Sequence, residues 1–104
     1  MSKMMEAVYN YKQENELILF LVYYGGEGPE EPRWEKMHYV YLYQTDAEAD
    51  IDAFCRDLLD DEHIVDPVKV MDESIRGLFR KVEFEDQDGV HYFARYEMKT
   101  FIEK

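Results

Sequence analysis

The sequence predicts an α+β fold: a mixed or antiparallel sheet of about five strands with one main acidic helix packed on one face. Three observations lead there. Aromatic residues make up 15% of the chain, nine of them Tyr, and such side chains suit a pleated, half-buried surface. The segment 45–62 carries apolar residues at helical spacing behind a capping signature. A Gln-Asp-Gly turn at 87–89 joins two alternating runs near the C-terminus. The 104 residues fit a single domain over 1–104, and the 46% hydrophobic content is too high for a disordered chain.

The first strand is expected at Met4 to Lys12, followed by a polar turn at Gln13 to Glu16. Leu17 to Tyr24 is continuously apolar and reads as a strand buried on both faces. A tight hairpin between these two would bring Tyr9 and Tyr11 beside Phe20 and Ile18. Residues 25–32 hold three Gly and two Pro and form a loop. Glu35 to Gln44 is the next strand. Met37, Tyr39, Tyr41 and Tyr43 share one face, and His38, Val40 and Leu42 share the other. With both faces largely apolar, this strand is expected to be central.

Thr45-Asp46-Ala47-Glu48 matches a capping box, in which Thr and Glu satisfy free N–H groups reciprocally. Ala47, Ile51, Phe54, Cys55 and Leu58 then make one apolar stripe, so a helix is expected from Asp46 to about Glu62. Val68 to Met71 follows as a short strand, with Asp72 capping a helical turn at Ser74 to Arg76 stopped by Gly77. The final hairpin has a defined register. Asp86 pairs with Val90, Phe84 with Tyr92, Val82 with Ala94 and Leu78 with Met98 on one face. Glu85 pairs with His91 and Lys81 with Arg95 on the other. Arg80 falls on the apolar face and Phe93 on the polar one, against the pattern.

Net charge is −12, and its distribution is uneven. Residues 46–66 hold nine acids against one base, Arg56, for a local charge of −8. Such a chain is repelled by nucleic acid and anionic membranes and attracted to basic proteins. Residues 1–12 lack the apolar core of a secretory signal, and Leu17 to Tyr24 is too short to span a bilayer. With a single cysteine, Cys55, the expected compartment is the cytoplasm.

Motifs for specific chemistry fail on inspection. The alternating acids Asp46, Glu48, Asp50 and Asp52 resemble a calcium loop. However, Ile51 stands where Gly is required and Asp57 where a bidentate Glu is required. Asp60-Asp61-Glu62-His63 has no second His at helical spacing, so no metal and no cofactor are expected. The Gly-rich loop lacks the Lys-Ser/Thr of a phosphate-binding loop and carries three Glu. Cys55 lies on the apolar stripe, and neither Ser2 nor Ser74 sits in a nucleophile elbow, so no catalytic residues are nominated.

The binding signal is stronger. Asp46, Asp50, Asp57 and Asp61 fall within about a 60° sector of the helix beside the apolar stripe, with Asp60 just beyond its edge. Ordinary surface helices mix signs for i, i+4 support, whereas this one has only Arg56. These five acids are the expected contacts for a basic partner, with Trp34 as a possible aromatic anchor beside the loop. The function this implies is an acidic protein that blocks a basic surface, nuclease-like or nucleic-acid-binding. A phage-type nucleic-acid mimic and a toxin-neutralising immunity protein both suit it. The alternatives are a small enzyme using carboxylates for acid/base chemistry and a subunit that self-associates through its Tyr-rich strands. A cleft of converging carboxylates favours the enzyme and a convex acidic ridge the inhibitor.

Overall fold

The computed structural model describes residues 16–102. They form β1 (Glu16–Glu27), β2 (Trp34–Tyr41), α1 (Gln44–Asp60), β3 (Val68–Ile75), β4 (Phe79–Glu85) and β5 (His91–Ile102). The expected strand at Met4 to Lys12 and its hairpin with β1 lie outside the described residues. The strands make one sheet in the order β2-β1-β5-β4-β3, and every pairing is antiparallel. The fold is therefore α+β, and among the described residues the sheet is antiparallel throughout. Successive strands pair through hairpins except at β2–β3, where α1 carries the chain from one edge of the described sheet to the other. No helix among the described residues is long and apolar enough to cross a membrane.

The long strands β1 and β5 pair along their whole length, with Phe20 opposite Met98, Val22 opposite Tyr96 and Tyr24 opposite Ala94. One face of this central pair meets α1. The core joins Phe20, Val22, Val82, Ala94 and Tyr96 from the sheet to Ala47 and Ile51 from the helix. Phe54 and Cys55 are half-buried against it. Burial of these aliphatic and aromatic groups supplies the main favourable term, about 1.5–3 kcal/mol for each large side chain taken out of water.

The C-terminal hairpin has the expected register. Phe84 faces Tyr92, Val82 faces Ala94, Glu85 faces His91 and Lys81 faces Arg95. The Asp86 N–H donates to the Val90 carbonyl at 3.0 Å, and the Met98 N–H to the Leu78 carbonyl at 2.8 Å. Turn chemistry explains the match. The Asp86 carboxylate accepts the N–H groups of Asp88 and Val90, both at 2.9 Å, and Gly89 takes φ +80°, which only Gly adopts readily.

Three expectations need correction. β2 is not central among the described strands: it lies at the edge of the described sheet, exposed from Trp34 through Tyr39. Its Tyr and His side chains look apolar on both faces but carry polar tips that tolerate water. The Ser74–Arg76 segment is not helical. Ser74 and Ile75 end β3, and Asp72 binds Lys69 and Arg80 in place of capping a turn. The capping box also does not form. The helix opens after Tyr43 with no side-chain cap, and Glu48 instead pairs with Arg80.

On the other sheet face, Phe93 is buried opposite Gly25, with the Arg33 guanidinium 4.1 Å from its ring centre. A Cβ on Gly25 would overlap both the Phe93 ring and the Trp34 carbonyl. This is a close approach that only Gly permits. Phe93, which the alternation put on the polar face, is there as expected, buried against Gly25 with the cationic groups of Arg33 and Lys81 over its ring.

Candidate functional site

The row of acids on α1 does not stay in one environment. Asp46, Ala49, Asp50, Ala53 and Asp57 line a single helix face at spacings of three and four residues. Opposite them stand Tyr24 of β1 and His38 and Tyr41 of β2, and together these border a shallow, widely open hollow of about 580 Å³. By helix geometry, Asp46 and Asp57 lie about 16 Å apart along the axis, one toward each end.

Asp50 is the correction. It was expected to be exposed, yet it is only 9% accessible. Tyr41 donates its hydroxyl to Asp50 Oδ2 at 2.7 Å, and Tyr24 donates its hydroxyl to Oδ1. His38 Nε2 lies 3.6 Å from Oδ2. The two hydroxyls reach Asp50 from β1 and β2, and Ala49 and Ala53 of the helix line the same hollow. Burial first, and the Asp50 carboxylate second, push the Tyr41 hydroxyl up to about 12 and the Tyr24 hydroxyl well above its ordinary range. Both therefore remain neutral donors at physiological pH.

His38 is placed by a break in the strand. The β1–β2 register shifts between Val22 and Tyr23, with Val22 opposite Tyr39 and Tyr23 opposite Met37. The unpaired residue between them is His38, and such a bulge re-aims a side chain. Its ring stacks on Tyr24 with centroids 4.1 Å apart and planes 10° from parallel. Tyr24 in turn leans on Phe54, and Tyr41 on Tyr39. The floor of the hollow is thus an interlocked aromatic group around one carboxylate.

The two flanks of α1 differ in charge balance. On one, Arg80 binds Glu48, Asp52 at 2.9 Å and Asp72 at 3.2 Å, and Lys69 adds a contact to Asp72 at 3.2 Å. Burial opposes the Arg80 charge, but these carboxylates outweigh it and raise the guanidinium pKa further. On the other flank, neither Asp46 nor Asp57 makes an ion pair with any described residue.

Of the six expected contact residues, the hollow brings together Asp46, Asp50 and Asp57. Asp60, the last helical residue, and Asp61, just past it, are exposed outside its lining. The Asp61 carboxylate accepts the His63 N–H at 2.9 Å. Trp34 is 50% exposed but starts β2, at the end away from Tyr41. Tyr24, His38 and Tyr41 were not nominated from sequence, although a lone His among alternating Tyr is the signal that marks them. Among the described residues, no three His, Cys, Asp or Glu side chains gather as a metal site. The Cys55 thiol is raised by burial, which disfavours the reactive thiolate.

Compared with known protein families, curated proteins and solved structures, the chain matches none.

Proposed function

We propose that this is an acidic binding protein that occupies a basic surface of another protein, nuclease-like or nucleic-acid-binding, through the hollow side of α1. A nucleic-acid mimic and an immunity protein are the two settings that suit it. One observation carries the proposal: Asp46 and Asp57 stand about 16 Å apart at the two ends of a shallow, open depression floored by Asp50, spread along the helix and not converging in a cleft, and no described base pairs with them, while Arg80 pairs with Glu48 and Asp52 on the opposite flank. Uncompensated carboxylates spaced along a helix attract Lys and Arg and speed encounter. Asp60 and Asp61 extend the negative field to the end of the helix, and Trp34 offers a separate aromatic contact on the exposed β2 strand. The test is a pull-down from host lysate at low and high salt, repeated with Asp46→Asn/Asp57→Asn. A basic protein retained by the wild type at low salt and lost by the variant supports the proposal. Equal retention by both removes it.

A second function is favoured by one contact. His38 Nε2 lies 3.6 Å from the buried Asp50 carboxylate, a pairing that general acid/base work would tighten to hydrogen-bond distance. Any turnover by this route requires the imidazole. A hydrolytic activity found in the wild type should fall at least about 100-fold in His38→Gln, and an unchanged rate excludes the enzyme.

A further inference from the structure

Asp50 is a buried charge whose described partners carry no fixed positive charge. It meets two neutral hydroxyls, from Tyr24 and Tyr41, and the His38 imidazole. The His38 side chain is 45% exposed, so protons reach it freely, yet stacking on Tyr24 holds its ring over the hollow. The groups around it come from three elements. Asp46, Asp50 and Asp57 face it from α1, Tyr24 from β1 and Tyr41 from its own strand, with Lys36 two residues earlier on that strand.

Histidine is the side chain that ordinarily changes charge between about pH 5 and pH 8. We propose that His38 is a pH gate on the hollow. Neutral, it leaves the acidic site open to a Lys or Arg side chain of the partner; protonated, it claims Asp50 and repels the incoming cation. This rests on the hollow being the cation-receiving surface proposed above. A like charge about 6 Å from the incoming one, with screening between that of protein surface and water, weakens binding about fivefold.

The probe is a short Lys/Arg-rich peptide, titrated at about pH 8 and about pH 5.5. Wild type is expected to bind about fivefold more weakly at the lower pH. His63→Gln should keep that ratio. His38→Gln should flatten it, and His38→Lys, which carries a permanent charge at the same place, should bind weakly at both values. Circular dichroism of each variant confirms that the fold is retained. A His38→Gln ratio equal to wild type overturns the gate alone, as does tight binding by His38→Lys at high pH. Failure of the wild type to bind the peptide even at about pH 8 overturns the gate together with the cation site beneath it.

Discussion

Tyr41 donates its hydroxyl to Asp50 at 2.7 Å, tying the edge strand β2 to the helix that crosses the sheet. With Tyr24 on the other oxygen, the carboxylate is a structural joint among three elements as well as the floor of the hollow. The acids of α1 therefore divide by environment. Asp50 ties β1 and β2 to the helix, whereas Asp46 and Asp57 pair with no base among the described residues.

That division gives a stability contrast. Asp50→Ala should cost about 2–4 kcal/mol, since it leaves two Tyr hydroxyls without their acceptor. Asp57→Asn, on an exposed side chain, should stay within about 0.5 kcal/mol of wild type. Urea denaturation of both measures the difference. Similar midpoints for the two variants would mean that Asp50 is not a joint.

Two glycines should respond unequally to a methyl group. Gly89→Ala should cost about 1 kcal/mol, because φ +80° strains any Cβ. Gly25→Ala should cost more, about 3 kcal/mol, since its Cβ meets the Phe93 ring and a backbone carbonyl that cannot both move. Thermal melts of the two variants check the order, and a Gly25→Ala melt at or above that of Gly89→Ala contradicts it.

The pH profile should have both an acid and an alkaline limb. Arg95, bonded twice at 2.7 Å, holds the Glu35 carboxyl below its ordinary range, and Arg80 with Lys69 does the same for Asp72. Burial raises Glu83, but the bonds from Arg33 and His91 outweigh it and leave it lowered. Lowered carboxyl pKa values mean stability that is present above the ordinary values, 4.5 for Glu and 3.8 for Asp, and is lost as pH falls through the folded ones. The raised Tyr24 and Tyr41 hydroxyls act in the opposite sense. Their contribution is complete below the ordinary value of 10.0 and is lost as pH rises through about 12 for Tyr41 and higher still for Tyr24. Denaturant midpoints should be level between these limbs, fall at each end, and fall less steeply at the alkaline end in Tyr24→Phe/Tyr41→Phe, where the raised hydroxyls of Tyr23, Tyr92 and Tyr96 remain. An unchanged alkaline limb in that variant would remove Asp50 as its cause.

How much of this was legible in the sequence depended on whether the deciding contact was local. The β4–β5 register was legible because turn residues and alternation act within a few positions of Gly89. The existence of α1 was legible from Ala47, Ile51 and Leu58, all of which are buried. The failures involve distant partners. The capping box yielded because Arg80, 32 positions away, claims Glu48; the misfit of Arg80 on an apolar strand face was the available clue. A helical projection sends Asp50 to solvent, and only the packing of β1 and β2 across α1 supplies the hydroxyls that bury it. The edge position of β2 was hidden because tyrosine counts as apolar in a pattern yet tolerates exposure.

The central claim is that the hollow side of α1 is a surface for a basic partner. Calorimetric titration of the basic protein recovered from host lysate, at low and high salt, tests it most directly. Wild type is compared with Asp46→Asn/Asp57→Asn, which spares Asp50, and with a control that neutralises Glu85 and Asp88. The double helix variant should fold like wild type, bind at least about tenfold more weakly and lose much of its salt dependence, while the control stays near wild type. Equal affinity and equal salt dependence for wild type and the helix variant would contradict the claim and leave the acids of α1 as a solvated face.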